Sequence, residues 1–578
     1  MAGSLLPASD RTSAPTGASE FAPALPGWAR PRVDVALAVL AIVLRVVLLL
    51  APGKEVSPRW VLPEELHRGN VARELLTGPL LDVQDYHHAP NVGGSLVVAI
   101  LAAPFFVTLG ENLLALRLPS ILMHGAAVFL LARLLRRHAG PRAALAGGLL
   151  YAIAPPGYLL LSITAFGTHA ENNTFVLLAL TLYFELAASA RGSRRESSFA
   201  FALGLTSGFA TYFGYSFVPM AGTWLVFAFV RDRTFFLRRW TAFAAFGAVV
   251  GFLPWVRYNV LHDFAGVLAY DVSLIGSPPE RNETYLGKLL WFTFVYSPRA
   301  LFLRDWKHFG LQWTEPIVAL LLAAALVSVA WWERRRIAAA ARRVLTARAE
   351  PPMPTLGLVC VVFVLLFTIA MLAARPVSWA GVAGIAHDGR YIAPLFPFLC
   401  IAAGLASERF SAGGERVRRA DALAVYFTTS VFLLGWAAQL DVRAFPGALR
   451  QSAVSDHEFA RWFAWTYKTD AGRLTRLVDG LERSRDEEVR DGTLFVLGQT
   501  LKSRLIVIPE GDARRGRLRA ACVASLTLLR ARVAPRYAPY FEEPLAGETL
   551  YSWERRDDYW KEREARGAPA RATNSRRD

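Results

Sequence analysis

Apolar residues run through this chain in long blocks separated by short polar connectors. The first block covers residues 33–51, and others follow at 114–132, 141–160, 171–190, 198–213, 215–230, 240–258, 314–332, 355–374, 391–406 and 420–440. Each is near the ~20 residues that a helix needs to cross a bilayer, although several are short. Only helices or closed barrels satisfy the backbone in lipid, and blocks of this length belong to helices. The pattern therefore predicts an all-α polytopic membrane protein. A further apolar stretch, 91–109, is a candidate whose crossing is decided by charge.

Five connectors, at 133–142, 191–197, 231–239, 333–350 and 407–419, carry three to six arginines each. The connectors between them hold few basic residues: none in 161–170, none in 211–217, five in the long 259–313 and two in 375–390. The alternation places the five basic connectors on one side, the cytoplasm. Arg30 and Arg32 precede the first block, so the amino terminus is expected on that side too. An even number of crossings must then separate it from 133–142. The first block and 114–132 supply two, so 91–109 is expected to be a re-entrant or interfacial helix on the outer face, preceded by Pro90 and broken by Pro104. This leaves about eleven transmembrane helices and an outward-facing carboxyl-terminal region.

Residues 1–30, rich in Ala, Pro, Ser and Gly, read as a disordered cytoplasmic tail, without the pattern of a signal peptide. Residues 31–440 form the transmembrane domain. Beyond it, 441–565 mixes charge with helical-period apolar residues such as Leu474, Leu477, Val478 and Leu481, which predicts a small helical domain outside the membrane. Its tryptophans, Trp462, Trp465, Trp553 and Trp560, suit a core or interfacial role better than sugar stacking. Residues 566–578 read as a basic, disordered tail.

Composition adds two exclusions. Of 578 residues, 54% are hydrophobic and 19% charged, with mean hydropathy +0.31, which is not the profile of a large soluble core. The net charge of +17 sits mostly in the arginine-rich connectors, so it is a topology signal and no nucleic-acid partner is expected. Three cysteines, Cys360, Cys400 and Cys522, make neither a disulfide framework nor a metal spacing. Asn282-Glu283-Thr284 fits a glycosylation sequon only weakly.

Candidate chemistry gathers on the outer side. The stretch 62–76, LPEELHRGNVARELL, carries adjacent acids Glu64 and Glu65, and Asp82, Asp85, His87 and His88 follow. Glu171, Asp263, Asp271, Arg375, His387, Asp388 and Arg390 fall on the same face. Carboxylates packed beside a membrane span cost desolvation energy and tend to be kept for binding or chemistry. The alternative is a solvated loop with ordinary surface acids.

Several of these motifs, in order, resemble the polyprenyl-phosphate-dependent glycosyltransferases of the glycosyltransferase-C superfamily, which include the protein O-mannosyltransferases and the lipid A aminoarabinose transferases. Glu64-Glu65 stands where those proteins carry an Asp-Glu pair, with Ala72-Arg73-Glu74-Leu75 eight residues on. His88-Ala89-Pro90, Gly110-Glu111 and Arg117-Leu118-Pro119-Ser120 are similar to the motifs that follow, and Gly389 to Pro397, GRYIAPLFP, to a late Arg-Tyr-x-x-Pro-x-x-Pro segment. Two positions depart: Glu64 and Glu171 occupy places where Asp is usual. An added methylene shifts a carboxylate by roughly an ångström, and a misplacement of ~1 Å can cost about 100-fold in rate. The departures point to a subfamily with its own acceptor or to altered chemistry. The Trp-Trp-Asp-Tyr-Gly signature of oligosaccharyltransferases is missing.

The resemblance implies an inverting membrane glycosyltransferase. The donor is a polyprenyl-phosphate-linked sugar, the acceptor is a hydroxyl on a glycan, lipid or protein, and membrane lipid surrounds the site. It implies Glu64 as general base, with Glu65 orienting the acceptor, holding a neighbouring cation or simply bridging to Arg68 or Arg73. Arg390 is the first choice for the donor phosphate, with snorkelling at the interface as its alternative, and His387 and Arg375 come next. His87 and His88 suit the sugar pocket. Glu171 and His169 suit the acceptor or a divalent cation, although two ligands do not make a metal site, so no obligatory metal or cofactor is expected. The composition points to a bacterial inner membrane with the carboxyl-terminal domain in the periplasm. A transporter or non-catalytic scaffold competes, but the halves of the chain do not repeat as transporters often do. An O-antigen ligase remains a further enzymatic alternative through the long 259–313 loop.

Overall fold

The computed structural model describes residues 32–53, 63–79, 81–87, 92–262, 264, 285–302, 314–346, 354–373, 389–467 and 471–484, with shorter pieces between 490 and 535. Among these the fold is all helical, without a strand. The helices used below are α1 (Arg32–Leu50), α2 (Pro63–Thr77), α3 (Gly94–Leu109), α4 (Leu113–His138), α5 (Pro141–Ile153), α6 (Pro156–Ile163), α7 (Asn172–Ala188), α8 (Arg194–Phe213), α9 (Val218–Arg231) and α10 (Arg239–Leu261). Further on come α11 (Tyr285–Trp291), α12 (Ser297–Phe302), α13 (Thr314–Thr346), α14 (Leu356–Ala373), α15 (Leu395–Ser411), α16 (Glu415–Ala437), α17 (Gly447–Arg450), α18 (Asp456–Tyr467), α19 (Ala471–Ser484) and α20 (Arg515–Arg530).

Helix forms at each of the eleven predicted segments. Five described helices are long and apolar enough to cross a bilayer: α1, α4, α10, Pro316–Arg343 within α13, and α16. α5 and α6 together would make a sixth, and α3, α7 and Leu356–Leu372 are shorter apolar helices. The chain is thus a multi-pass helical membrane protein.

Two expectations are corrected. Pro104 does not break the helix over 91–109; α3 runs unbroken through it. Conversely 141–160 is not one helix: α5 and α6 meet at an angle of 71°. Pro155 and Pro156 follow Ala154, and a residue before proline is pushed out of the helical region. Ala154 takes a left-handed φ of 61°, which costs on the order of 1–2 kcal/mol for a residue with a Cβ. Because α6 is turned aside, the loop after it, 164–171, runs back towards α2.

The core has two parts. One lies in the helical bundle, where the buried Cys360 and Cys400 pack as apolar residues. The other joins Val71, Ala72 and Tyr86, from the segment between α1 and α3, to Phe459, Trp462 and Leu477 of α18 and α19. The carboxyl-terminal helices therefore share an apolar core with the segment between α1 and α3. Two isolated antiparallel bridges, Pro52 with Leu440 and Asn112 with Ser452, tie the same regions together.

Candidate active site

α2 is polar on nearly all sides, so propensity alone would not hold it. Its start is nonetheless well marked. Pro63 opens the helix with no amide to satisfy, and Glu64 and Glu65 follow in the first turn, where the helix dipole favours negative charge. One face of α2 is docked onto the segment before and within α18. The His67 ring stacks on Trp462 with centroids 3.8 Å apart. A Cβ on Gly69 would lie 1.8 Å from the Ala453 carbonyl oxygen, so only glycine allows this approach. Asn70 donates to the Ser455 carbonyl at 2.8 Å and accepts from the Ser455 amide at 3.1 Å. Arg73 meets Asp456 at 2.6 Å.

The two acids of the pair face different surroundings. Glu65 is fully buried. Arg117 of α4 donates to both its oxygens, at 2.9 and 2.7 Å, and the Ala165 amide donates at 2.7 Å. The ion pair runs to Arg117, rather than to Arg68 or Arg73. Glu64 is a quarter exposed, and Arg390 holds its two oxygens at 3.1 and 3.0 Å through Nη1. These two residues lie 326 positions apart in the chain.

Arg68, one turn after Glu64, is buried and lies 4.0 Å from the Glu64 carboxylate. Its guanidinium donates to the carbonyl oxygens of Glu64 and Phe166. Burial lowers its pKa, against the pull of Glu64, Glu171 and Glu65. Glu171, at the start of α7, is buried, and its Oε1 accepts from the Gly167 amide at 2.8 Å and Ser120 Oγ at 2.9 Å. Its Oε2 has no hydrogen-bond partner. Burial pushes the Glu171 carboxyl above its usual range, opposed by those hydrogen bonds and Arg68. Gly167 reaches this position with φ +73°, and the adjacent backbone of Gly94 leaves no room for a side chain on either residue.

Arg390 sits in a single turn, Gly389–Ile392. Its guanidinium carbon lies 5.6 Å from the Phe166 ring centre and 5.3 Å from that of Tyr391. Nη2 reaches Tyr391 Oη only at 3.5 Å, and the buried Nε has no partner. His169 stands edge-on to the same two rings, at 5.6 and 5.3 Å. The fold thus brings Glu64, Arg390, His169 and Glu171 around Arg68, Phe166 and Tyr391.

His87 belongs to another cluster. It is buried between the Gln84 carbonyl at 2.7 Å and Tyr212 Oη at 3.0 Å, so Nδ1 donates and Nε2 accepts. Burial pushes it down to about 4. Nearby, Asp85 pairs with His262 at 2.7 Å and with Arg473 of α19 at 3.1 Å. His88, Arg375 and His387 lie outside the described residues, as do Asp263, Asp271, Asp388, the 282–284 sequon, Trp553 and Trp560. Among the described residues no group of three or more His, Cys, Asp or Glu side chains is arranged to hold a metal.

Sequence reasoning did not select Arg68, Phe166 or Tyr391. The signals were there: Arg68 is four residues from Glu64, and Tyr391 follows Arg390 within the late motif.

Residues 93–258 match the family model of dolichyl-phosphate-mannose-protein mannosyltransferase. Over that stretch the chain is similar to this mannosyltransferase family. The matched stretch holds Arg117, Ser120 and Glu171, while Glu64 and Arg390 fall on either side of it. No curated protein matches the chain. Among solved structures it is similar to the Archaeoglobus fulgidus oligosaccharyltransferase in complex with Zn and sulfate, at 15% identity and TM-score 0.41 over 80% of this chain and 57% of that one. The apo form gives 12% identity and TM-score 0.42 over 80% and 59%. The form tethered by a disulfide bond to an acceptor peptide containing the NVT sequon gives 13% and 0.41 over 79% and 59%. The chain thus spans less than two thirds of that oligosaccharyltransferase.

Proposed function

We propose that this membrane glycosyltransferase moves a sugar from a polyprenyl-phosphate donor to an acceptor hydroxyl at the periplasmic face of a bacterial inner membrane. The acceptor oxygen bonds to the anomeric carbon while its proton passes to Glu64. The bond from that carbon to the phosphate oxygen breaks, and polyprenyl phosphate leaves with the electron pair from the opposite face. Configuration inverts.

The observation that carries this reading is the contact of Glu64 with Arg390. It sets a partly exposed carboxylate, able to take a proton once the cation lets go, beside a guanidinium suited to a phosphate. In this reading Arg390 holds the leaving phosphate and His169 lines the substrate side. Glu65, locked onto Arg117, orients the first turn of α2. Glu171 fixes the 164–171 loop through the Gly167 amide. The basic connectors face the cytoplasm in this arrangement, and the carboxyl-terminal helices face the periplasm.

The test is transfer from a polyprenyl-phosphate sugar extract by purified protein, wild type against Glu64→Gln. Transfer by the wild type that falls by at least ~100-fold in the variant, with unchanged membrane insertion, establishes both the reaction class and the base. Retained transfer in Glu64→Gln removes Glu64 from that role. If neither protein transfers, a carrier of lipid-linked glycan becomes the better reading.

A further inference from the structure

A salt-bridged carboxylate is a poor base, because the cation that stabilises its charge also weakens its hold on a proton. Glu64 is in that state, held through both oxygens by Arg390 Nη1. The rest of the Arg390 guanidinium is differently occupied. Its Nε is buried without a partner, and its Nη2 makes only the 3.5 Å contact to Tyr391. Nε and Nη2 form one edge of the planar fork, the edge that binds two oxygens of one anion side by side. Phe166 and Tyr391 flank the guanidinium plane. Arg390 therefore offers one nitrogen to the acid and an underused edge to an anion.

We propose that Arg390 is shared between Glu64 and the donor phosphate, so that phosphate binding draws the guanidinium away from Glu64 and frees the base only when donor is in place. This rests on the donor reading given above and adds to it an ordered coupling between phosphate and base. Arg68 makes the exchange tolerable. It remains 4.0 Å from the Glu64 carboxylate and anchored to the Glu64 and Phe166 carbonyls, so the acid is not left without a cation. An enzyme built this way keeps its base weak until a leaving group is bound. Linkage is reciprocal: if phosphate loosens the Arg390–Glu64 pair, removing the charge on Glu64 must strengthen phosphate binding.

The experiment measures equilibrium binding of farnesyl phosphate to full-length protein in detergent. The proteins are wild type, Glu64→Gln, Arg390→Gln and the double variant, with farnesol and inorganic phosphate as control ligands. Glu64→Gln is expected to bind farnesyl phosphate about 3–10-fold tighter than wild type. Farnesol affinity should not change, and inorganic phosphate should show the same direction of change. In the Arg390→Gln background, Glu64→Gln should give no tightening, because the shared group is gone. Equal or weaker binding by Glu64→Gln overturns the proposal. So does tightening that persists without Arg390, which would reflect only the removal of a nearby negative charge. Loss of transfer in Glu64→Gln with unchanged phosphate affinity would leave the base assignment standing and refute the sharing.

Discussion

Glu65 and Arg117 form a two-toothed ion pair sealed from water, with nitrogen–oxygen distances of 2.9 and 2.7 Å. The pair joins the first turn of α2 to α4. Removing one partner leaves an uncompensated buried charge, which costs about 3–5 kcal/mol. Arg117→Met is therefore expected to lower the thermal unfolding midpoint sharply in detergent. The double change Glu65→Gln with Arg117→Met should regain part of the loss. A single variant as stable as wild type would show that the pair does not carry the helix.

Asn70 makes two hydrogen bonds to the Ser455 backbone. Asn70→Leu strands that amide and carbonyl at a cost of about 1–3 kcal/mol for the contact. Hydrogen exchange in α18 should speed up in the variant, while exchange in α15 and α16 stays as in wild type.

Glu171 is raised by burial above its usual range. A carboxyl raised in the folded state favours folding at low pH, and that contribution is lost as pH rises through the folded value. A glutamine keeps an oxygen to accept from Ser120 and Gly167 and carries no charge. Glu171→Gln should thus match or exceed the wild-type unfolding midpoint, with the gain growing as pH rises above the ordinary glutamate value of ~4.3. A marked loss of stability at pH 8 would contradict this account.

Asp85 behaves in the opposite sense. Burial pushes its carboxyl up, but the hydrogen bonds from His262 and Arg473 outweigh this and leave it below the usual range. Its contribution is present above the unfolded value, ~3.9, and disappears as pH falls through the folded one. The contact of α19 with the segment that carries Asp85 should therefore loosen in acid, seen as faster hydrogen exchange in α19 below about pH 4. Asp85→Asn should exchange faster already at pH 7 and show little further change in acid. Also facing this cluster are His87, kept neutral by burial, and Tyr258, stacked on His262 at 4.1 Å.

Much of this could be read from the sequence because it is local. Apolar block length located the helices, and the late Arg-Tyr motif brought Arg390 into consideration before its partner was known. The bend at Ala154 was hidden because block 141–160 carries no charge after Arg142, and hydropathy does not register that Pro155 and Pro156 stop a helix. The pairing of Glu65 went unread for a different reason. Arg68 and Arg73 are near in sequence, while Arg117 is 52 residues away, and only packing selects it. The same holds for Arg73 with Asp456 and Asp85 with Arg473, separated by 383 and 388 positions. Helical periodicity shows which face is apolar, not which distant charge will meet it.

The docking of α2 onto residues 453–462 also sets a timetable. Ribosomes deliver α2 long before the segment that grips it, at rates near 5–20 residues per second, so about 20–80 seconds separate the two. Through that interval the acid-bearing helix lacks the Trp462 stack, the Ser455 bonds and the Asp456 bridge. A nascent chain already threaded into the membrane would then hold Glu64 and Glu65 in an unfinished setting, and their surroundings would be completed late in synthesis, when the carboxyl-terminal helices settle onto them.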